Sequence, residues 1–239
     1  MLLYIVRHGD PIYGPVERLT ETGLKQARAL APRMAQSGIT RIFSSPLRRA
    51  RETAAPTAEL LGLPIEIEPW CSENLAWQRF TRIRENGHRT WTWNREDAGA
   101  LVRGENHDAG DAWPDLPVFS DTPGAKEGYA ELQKESDAFL ARLGYVREGN
   151  EYRIENPNDG RPAVFCHQGF GLSWLSHLLR IPPNIFWTSF DVTHTGVSVL
   201  EFRNTKTGYT VPKCLCLSDM SHLFADSECA YAYHTRMPI

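Results

Sequence analysis

Three short apolar runs break off abruptly into reactive side chains, and this pattern limits the possible folds more than any other. Leu2 to Val6 ends at Arg7-His8-Gly9. Ile42-Phe43 ends at Ser44-Ser45-Pro46-Leu47-Arg48-Arg49, and Val164-Phe165-Cys166 ends at His167-Gln168-Gly169. Apolar runs alternating with helix-period stretches read as parallel strands buried on both faces. The expected class is α/β, a three-layer α/β/α sandwich around a mainly parallel sheet. In such a sheet the carboxyl ends of the strands share one edge, and ligands bind in the crevice there. Segments distant in sequence then converge in space.

The connecting stretches carry helix signals. Leu24, Ala27, Leu30, Ala31, Met34 and Ala35 form one stripe between Glu21 and Ser37, with Thr20 as N-cap and Gly38 as stop. Ser45 reads as the N-cap of a second helix, with Pro46 at its first position and Gly62 at its end. Pro56 is expected to kink or break that helix. Ile65 to Glu68 alternates as a strand. Tyr129, Leu132, Phe139, Leu140 and Leu143 mark a helix, Tyr145 to Ile154 a hairpin turning near Gly149-Asn150, and Leu172 to Leu179 a last helix stopped by Pro182-Pro183. Val197 to Phe202 and Tyr209 to Leu217 read as closing strands, and no clear pattern follows Ser218.

The 239 residues suit a single domain spanning 1–239, and the chain shows no internal repeat. The stretch 74–124 lacks a clean period and reads as an irregular insertion, a lid or cap over the active edge. Lys plus Arg number 26 against 29 Asp plus Glu, a net charge of -3. That balance argues against coating nucleic acid or an anionic membrane, yet permits a local cationic pocket. No apolar run approaches the ~20 residues of a membrane span. The start of the chain lacks signal-peptide features, so the expected location is cytoplasmic. Cys71, Cys166, Cys214, Cys216 and Cys229 are too few for a disulfide scaffold. None has Arg six positions later, which excludes the loop of cysteine-based phosphatases.

Glu73, just past a strand, can reach the same edge as the three reactive segments. The groups gathered there are two Arg, two His and one Glu. Guanidiniums grip anionic oxygens bidentately. A helix N-terminus adds attraction for phosphate. A neutral imidazole can attack phosphorus, a protonated one can bind an equatorial oxygen, and a carboxylic acid can protonate the departing oxygen. This inventory fits phosphoryl transfer.

The motifs, in this order, resemble the histidine phosphatase superfamily, also called phosphoglycerate mutase-like. They are Arg7-His8-Gly9, Leu19-Thr20-Glu21-Thr22-Gly23, Ser44 to Ala54, Ser72-Glu73, Cys166-His167-Gln168-Gly169 and, in the tail, Asp219 to Leu223. The resemblance implies that His8 is a nucleophile forming a phosphohistidine and that Arg7, Arg49 and His167 clamp the phosphoryl group. It implies that Glu73 is the acid and then the base. Arg49, rather than Arg48, directly precedes the alanine as the family's arginine does. The implied activity is metal-independent hydrolysis of a small phosphorylated substrate, with no cofactor. Gln168 and Asp10-Pro11 set the chain apart from the acid phosphatase and phytase branch and place it in the mainly intracellular one. Glu73-Asn74-Leu75-Ala76-Trp77 stands where mutases carry Glu-Arg-His-Tyr-Gly, so hydrolysis is preferred to a mutase. A non-catalytic phosphate-binding module and a zinc hydrolase are also compatible with these residue types.

Within the insertion, Trp77, Trp91, Trp93 and Trp113 serve equally well as a satellite core, as a homodimer contact or as a substrate-selecting lid. Trp91, Trp93 and Arg89 are the lid candidates. Arg79, Arg82, Arg84 and Arg89 either meet a second anionic group or pair with nearby carboxylates. His194 and His222 read as hydrogen-bonded structural histidines, and the carboxylates near His107 as a solvated loop.

Overall fold

A computed structural model describes residues 1–224. Six strands form the main sheet: β1 (Leu2–Arg7), β4 (Arg41–Ser44), β5 (Ile65–Ile67), β10 (Pro162–Cys166), β11 (Val197–Glu201) and β13 (Lys213–Asp219). Their spatial order is β13-β11-β1-β10-β4-β5. β1, β10, β4 and β5 run parallel, whereas β11 is antiparallel to both of its neighbours. Small hairpins account for β2 (Pro11–Ile12) with β3 (Arg18–Leu19), and for β6 (Thr81–Ile83) with β7 (Arg89–Trp91). β8 (Tyr145–Glu148), β9 (Glu151–Ile154) and β12 (Tyr209–Thr210) make a third small sheet.

Alternation along β1 builds the two cores. Tyr4 and Val6 face α1 (Glu21–Gln36) and α2 (Arg48–Leu61), packing with Leu30, Met34, Ala54 and Ala58. Leu3 and Ile5 face the other layer, among Phe139 of α4 (Ala125–Arg142) and Phe170 and Trp174 of α5 (Gln168–Leu179). Hence the three layers. The register sets Arg7 beside Cys166 and Phe165 beside Ser44, so the strand ends are level. All three reactive segments therefore leave the sheet at one edge.

Several local expectations need correction. α2 starts at Arg48 with Leu47 as its N-cap residue, not at Ser45-Pro46. Ser45 still donates its backbone N–H to Phe165 O (2.9 Å), so strand pairing holds the chain extended past it. Pro56 leaves α2 unbroken. It has no N–H for Glu52 O, but buried Thr53, Ala54, Thr57 and Ala58 hold both flanking turns in place. α5 begins at Gln168, four residues early, because a distant carboxylate holds its first N–H groups.

The insertion is only partly irregular. It opens with α3 (Glu73–Arg79) and the β6–β7 hairpin, then continues as single 3-10 turns to Phe119. The run Tyr209 to Leu217 is two strands in two sheets, separated at Val211-Pro212, where proline has no N–H to give a ladder. The chain beyond Ser218 continues β13 to Asp219 and forms the short α7 (Ser221–Phe224). The four cysteines of the described residues are free, and Cys229 lies outside them. No helix among the described residues is long and apolar enough to cross a membrane.

Candidate active site

His8 stands at the end of β1 and is 1% exposed. Its Nδ1 lies 2.7 Å from Gly9 O. A carbonyl only accepts, so Nδ1 carries the proton and Nε2 keeps a lone pair. Gly9 N donates to Thr53 Oγ1 (2.9 Å), and Thr53 Oγ1 donates to Arg49 O (2.7 Å), which fixes the loop to α2. The start of α1 presses on the same loop. Thr20 caps α1 through Gly23 N (2.9 Å), and a Cβ on Gly23 would sit 2.2 Å from Asp10 O. Only glycine fits that approach.

The His167 ring lies 5.1 Å from His8, centroid to centroid. Its Nε2 is 2.7 Å from Ser45 Oγ, which itself accepts from Leu47 N (3.3 Å). With one proton and two lone pairs, Ser45 Oγ can accept from Leu47 N and still give its proton to His167 Nε2. The Nδ1 of a neutral His167 carries the proton in that arrangement, and this buried atom has no partner among the described residues. In that tautomer His167 can donate to an anionic oxygen without being an imidazolium.

Two arginines complete the cluster. Arg7 donates from Nη1 to Val192 O (2.7 Å) and from Nη2 to His194 Nε2 (2.9 Å). Arg49 pairs with Glu17 (2.7 Å). Both guanidiniums are nearly fully buried, and each leaves a buried Nε without a partner among the described residues. Unpaired buried donors are costly, so a site with three of them is built for an acceptor-rich ligand. Burial pushes the His8 pKa well below its ordinary value, and the neighbouring guanidiniums of Arg7 and Arg49 act in the same direction. His167 is lowered by burial and then by Arg49 and Arg7. Burial also lowers Arg7. Both shifts favour the neutral form of the imidazole.

Glu73 begins α3 and reaches across to α5. Its Oε1 accepts from Gly169 N (2.9 Å) and its Oε2 from Phe170 N (2.8 Å). It is half-buried by surface, yet protein packs densely around the carboxyl group. Burial raises its pKa, against the lowering effect of the two N–H bonds, Arg49 and Arg7. A carboxyl group tuned upward beside cations suits proton transfer.

Sequence reasoning undervalued His194. It lies 5.7 Å from His8, ring to ring, accepts from Arg7, and sits 3.5 Å from an Asp10 oxygen. The signal was present: His194 precedes β11, and an antiparallel neighbour of β1 starts where β1 ends. Ser45, Glu17 and Asp191 were also missed as partners of the cluster. His222 lies one layer behind, bonded to Thr195 Oγ1 (3.0 Å) and beside Arg33.

The insertion tryptophans form a packed pile. Trp77 meets Trp91 edge-on, Trp91 stacks on Trp93 (4.8 Å, 8°), and Trp93 packs on Trp187. A Cβ on Gly169 would fall 2.3 Å from Trp91, so this pile bears directly on the first turn of α5. Arg89 is placed differently: it is exposed and donates to Thr81 Oγ1 across the hairpin (3.0 Å). No hydrogen bond among the described residues joins it to the His8 cluster.

An imidazole with a free Nε2, set among two guanidiniums and a carboxyl group, is an arrangement that can bind and transfer a phosphoryl group. Residues 3–212 match the model of the histidine phosphatase superfamily (branch 1), and the chain belongs to that family. Among curated proteins, a probable phosphoglycerate mutase, GpmB, of Yersinia pestis is 37% identical over 75 residues, 28% of this chain. The match spans 35% of that relative's length. Solved structures with the same fold include a mycobacterial glucosyl-3-phosphoglycerate phosphatase, 19% identical with TM-score 0.58, over 91% of this chain and 98% of the other. A phosphoserine phosphatase from Entamoeba histolytica, in complex with 3-phosphoglyceric acid, is 20% identical with TM-score 0.57, over 93% and 98%.

Proposed function

We propose that the protein is a metal-independent phosphatase that hydrolyses a small phosphomonoester through a phosphohistidine on His8. The observation that carries this reading is the fixed neutral His8 beside the buried, unpartnered Arg7 Nε, Arg49 Nε and His167 Nδ1. Those donors take the phosphoryl oxygens and hold phosphorus against His8 Nε2. The N–P bond forms as the ester O–P bond breaks, and Glu73 gives its proton to the departing oxygen. Water then attacks phosphorus, Glu73 takes a proton from it, and the N–P bond breaks to release phosphate. Splitting the transfer in two is what a covalent nucleophile contributes. Proton transfer adds roughly 10²–10⁴-fold.

The insertion 74–124 acts as a cap over this edge, with Trp91 bearing on Gly169 and Trp93 facing the space beside Gln168. Hydrolysis is favoured over a mutase because Glu73-Asn74-Leu75-Ala76-Trp77 departs from the mutase segment. The test is turnover of phenyl phosphate in the presence of a chelator. Wild-type protein is expected to release phosphate and His8→Ala to lose at least 10³-fold, about 4 kcal/mol of transition-state stabilisation. Full activity in the variant contradicts the proposal.

A further inference from the structure

The two arginines of the His8 cluster are held by different chemistry. Arg49 pairs with the carboxylate of Glu17 (2.7 Å), much as Arg79 of the insertion pairs with Glu131 and Arg82 with Asp121. Arg7 donates instead to Val192 O (2.7 Å) and to His194 Nε2 (2.9 Å). A guanidinium has no lone pair to offer, so the His194 Nε2 that accepts from it carries no proton. The ring is therefore a neutral acceptor. Its other nitrogen, Nδ1, lies 3.5 Å from an Asp10 oxygen. Asp10 is itself fixed, its carboxylate accepting from Thr20 Oγ1 (2.7 Å) and its N–H donating to Gln26 Oε1 (2.8 Å).

The segment that carries both acceptors is tied to the sheet. Thr195 N donates to Arg7 O (3.0 Å), and Thr193 N donates to Ser218 Oγ of β13 (2.7 Å). A Cβ on Gly196 would fall 2.5 Å from Ser218 Oγ, so only glycine permits this approach. One acceptor, Val192 O, leaves a guanidinium free to pivot about that contact. A second acceptor on the other Nη fixes its plane. The Nε edge, buried and without a partner among the described residues, is then held in one direction. A carboxylate in place of the imidazole would hold the plane equally well. It would also offset the charge of Arg7 and repel a phosphate beside it.

We infer that His194 is the positioning residue of Arg7, a neutral acceptor that orients the guanidinium toward the phosphoryl group without offsetting its charge. The inference rests on the reading of the His8 cluster as the phosphoryl site.

Inorganic phosphate is the probe. Its dissociation constant is measured calorimetrically for the wild-type chain and for His194→Ala, His194→Gln and His194→Glu, beside kcat/KM on phenyl phosphate and thermal unfolding. His194→Ala is expected to weaken phosphate binding about tenfold or more and to lower kcat/KM by a similar factor, the usual worth of a hydrogen bond to a charged group. Gln brings a neutral carbonyl oxygen close to the place of Nε2, and His194→Gln is expected to recover most of the affinity. His194→Glu supplies an acceptor of the same size with a charge, and is expected to bind phosphate about tenfold more weakly than His194→Gln. A side chain that only filled space would make Gln and Glu equivalent, and its losses would follow the unfolding temperature. Both of these variants keep a long polar side chain, so their comparison decides the matter without the Ala variant. Equal phosphate affinity in the Gln and Glu variants, or wild-type affinity in His194→Ala, overturns the inference. The expected order in phosphate binding, with no turnover of any ester by the wild-type protein, sinks the phosphatase reading alone.

Discussion

Ser45 Oγ lies 2.7 Å from His167 Nε2 and anchors that side of the ring, while the other ring nitrogen, Nδ1, is buried without a partner among the described residues. Ser45→Ala removes this constraint while leaving ring and charge in place. The expected outcome is a fall in kcat/KM of roughly tenfold, about the worth of one buried hydrogen bond. NMR of the His167 ring nitrogens is expected to show a shifted tautomer balance in the variant relative to wild type.

Gly169 tests the coupling between the tryptophan pile and the site. Its N–H holds Glu73, and a Cβ there would lie 2.3 Å from Trp91. Gly169→Ala is expected to destabilise the protein by about 1–3 kcal/mol, the usual cost of overpacking. It is also expected to reduce kcat, because the helix turn that holds Glu73 must shift. Thermal unfolding and kinetics check both, and Gly169→Ala combined with Trp91→Leu is expected to regain part of the stability.

Glu73 predicts a dependence on the leaving group. Poor leaving groups need its proton and good ones do not. Glu73→Gln is expected to cost about 10²-fold or more in kcat/KM for an alkyl phosphate, and much less for p-nitrophenyl phosphate. Because burial raises the Glu73 pKa, wild-type activity on alkyl esters is expected to persist above the ordinary carboxyl pKa before falling as the acid form is lost. A pH profile identical for both esters contradicts this role.

The buried imidazoles make stability pH-dependent. His8 and His167 have lowered pKa values in the folded state, and His222 is pushed down to about 4. The unfolded chain therefore binds more protons than the folded one below about pH 6.5. Stability is full above that value and falls as pH drops, by about 1.4 kcal/mol per pH unit for each such imidazole. Urea unfolding at pH 7.5 and 5.5 is expected to show the loss, with a smaller slope in His8→Asn.

Much of this architecture was legible in sequence because both signals are local. Alternating apolar runs gave the layers, and Arg7 ends a strand while Arg49, Glu73 and His167 follow others, all at one edge of the sheet. Thr20 announced its helix by its own cap. The missing parts depend on distant partners. Ser45 looks like a cap, but pairing to Phe165 keeps it extended and frees its hydroxyl for His167. The start of α5 is set by a carboxylate 96 residues earlier in the chain. His194 required knowing that β11 runs antiparallel to β1. The tryptophan pile carries no period because its members come from α3, a hairpin, single turns and α6 (Pro183–Ser189).

The central claim is a bond between phosphorus and one imidazole nitrogen. Rapid quench of the protein with a radiolabelled phosphomonoester, in alkali to preserve phosphoramidates, measures it directly. The account predicts stoichiometric label on the His8 peptide within the first turnover, lost in His8→Ala and retained longer when Glu73 is replaced by Gln. Steady phosphate release with no label on His8 at any time would contradict it.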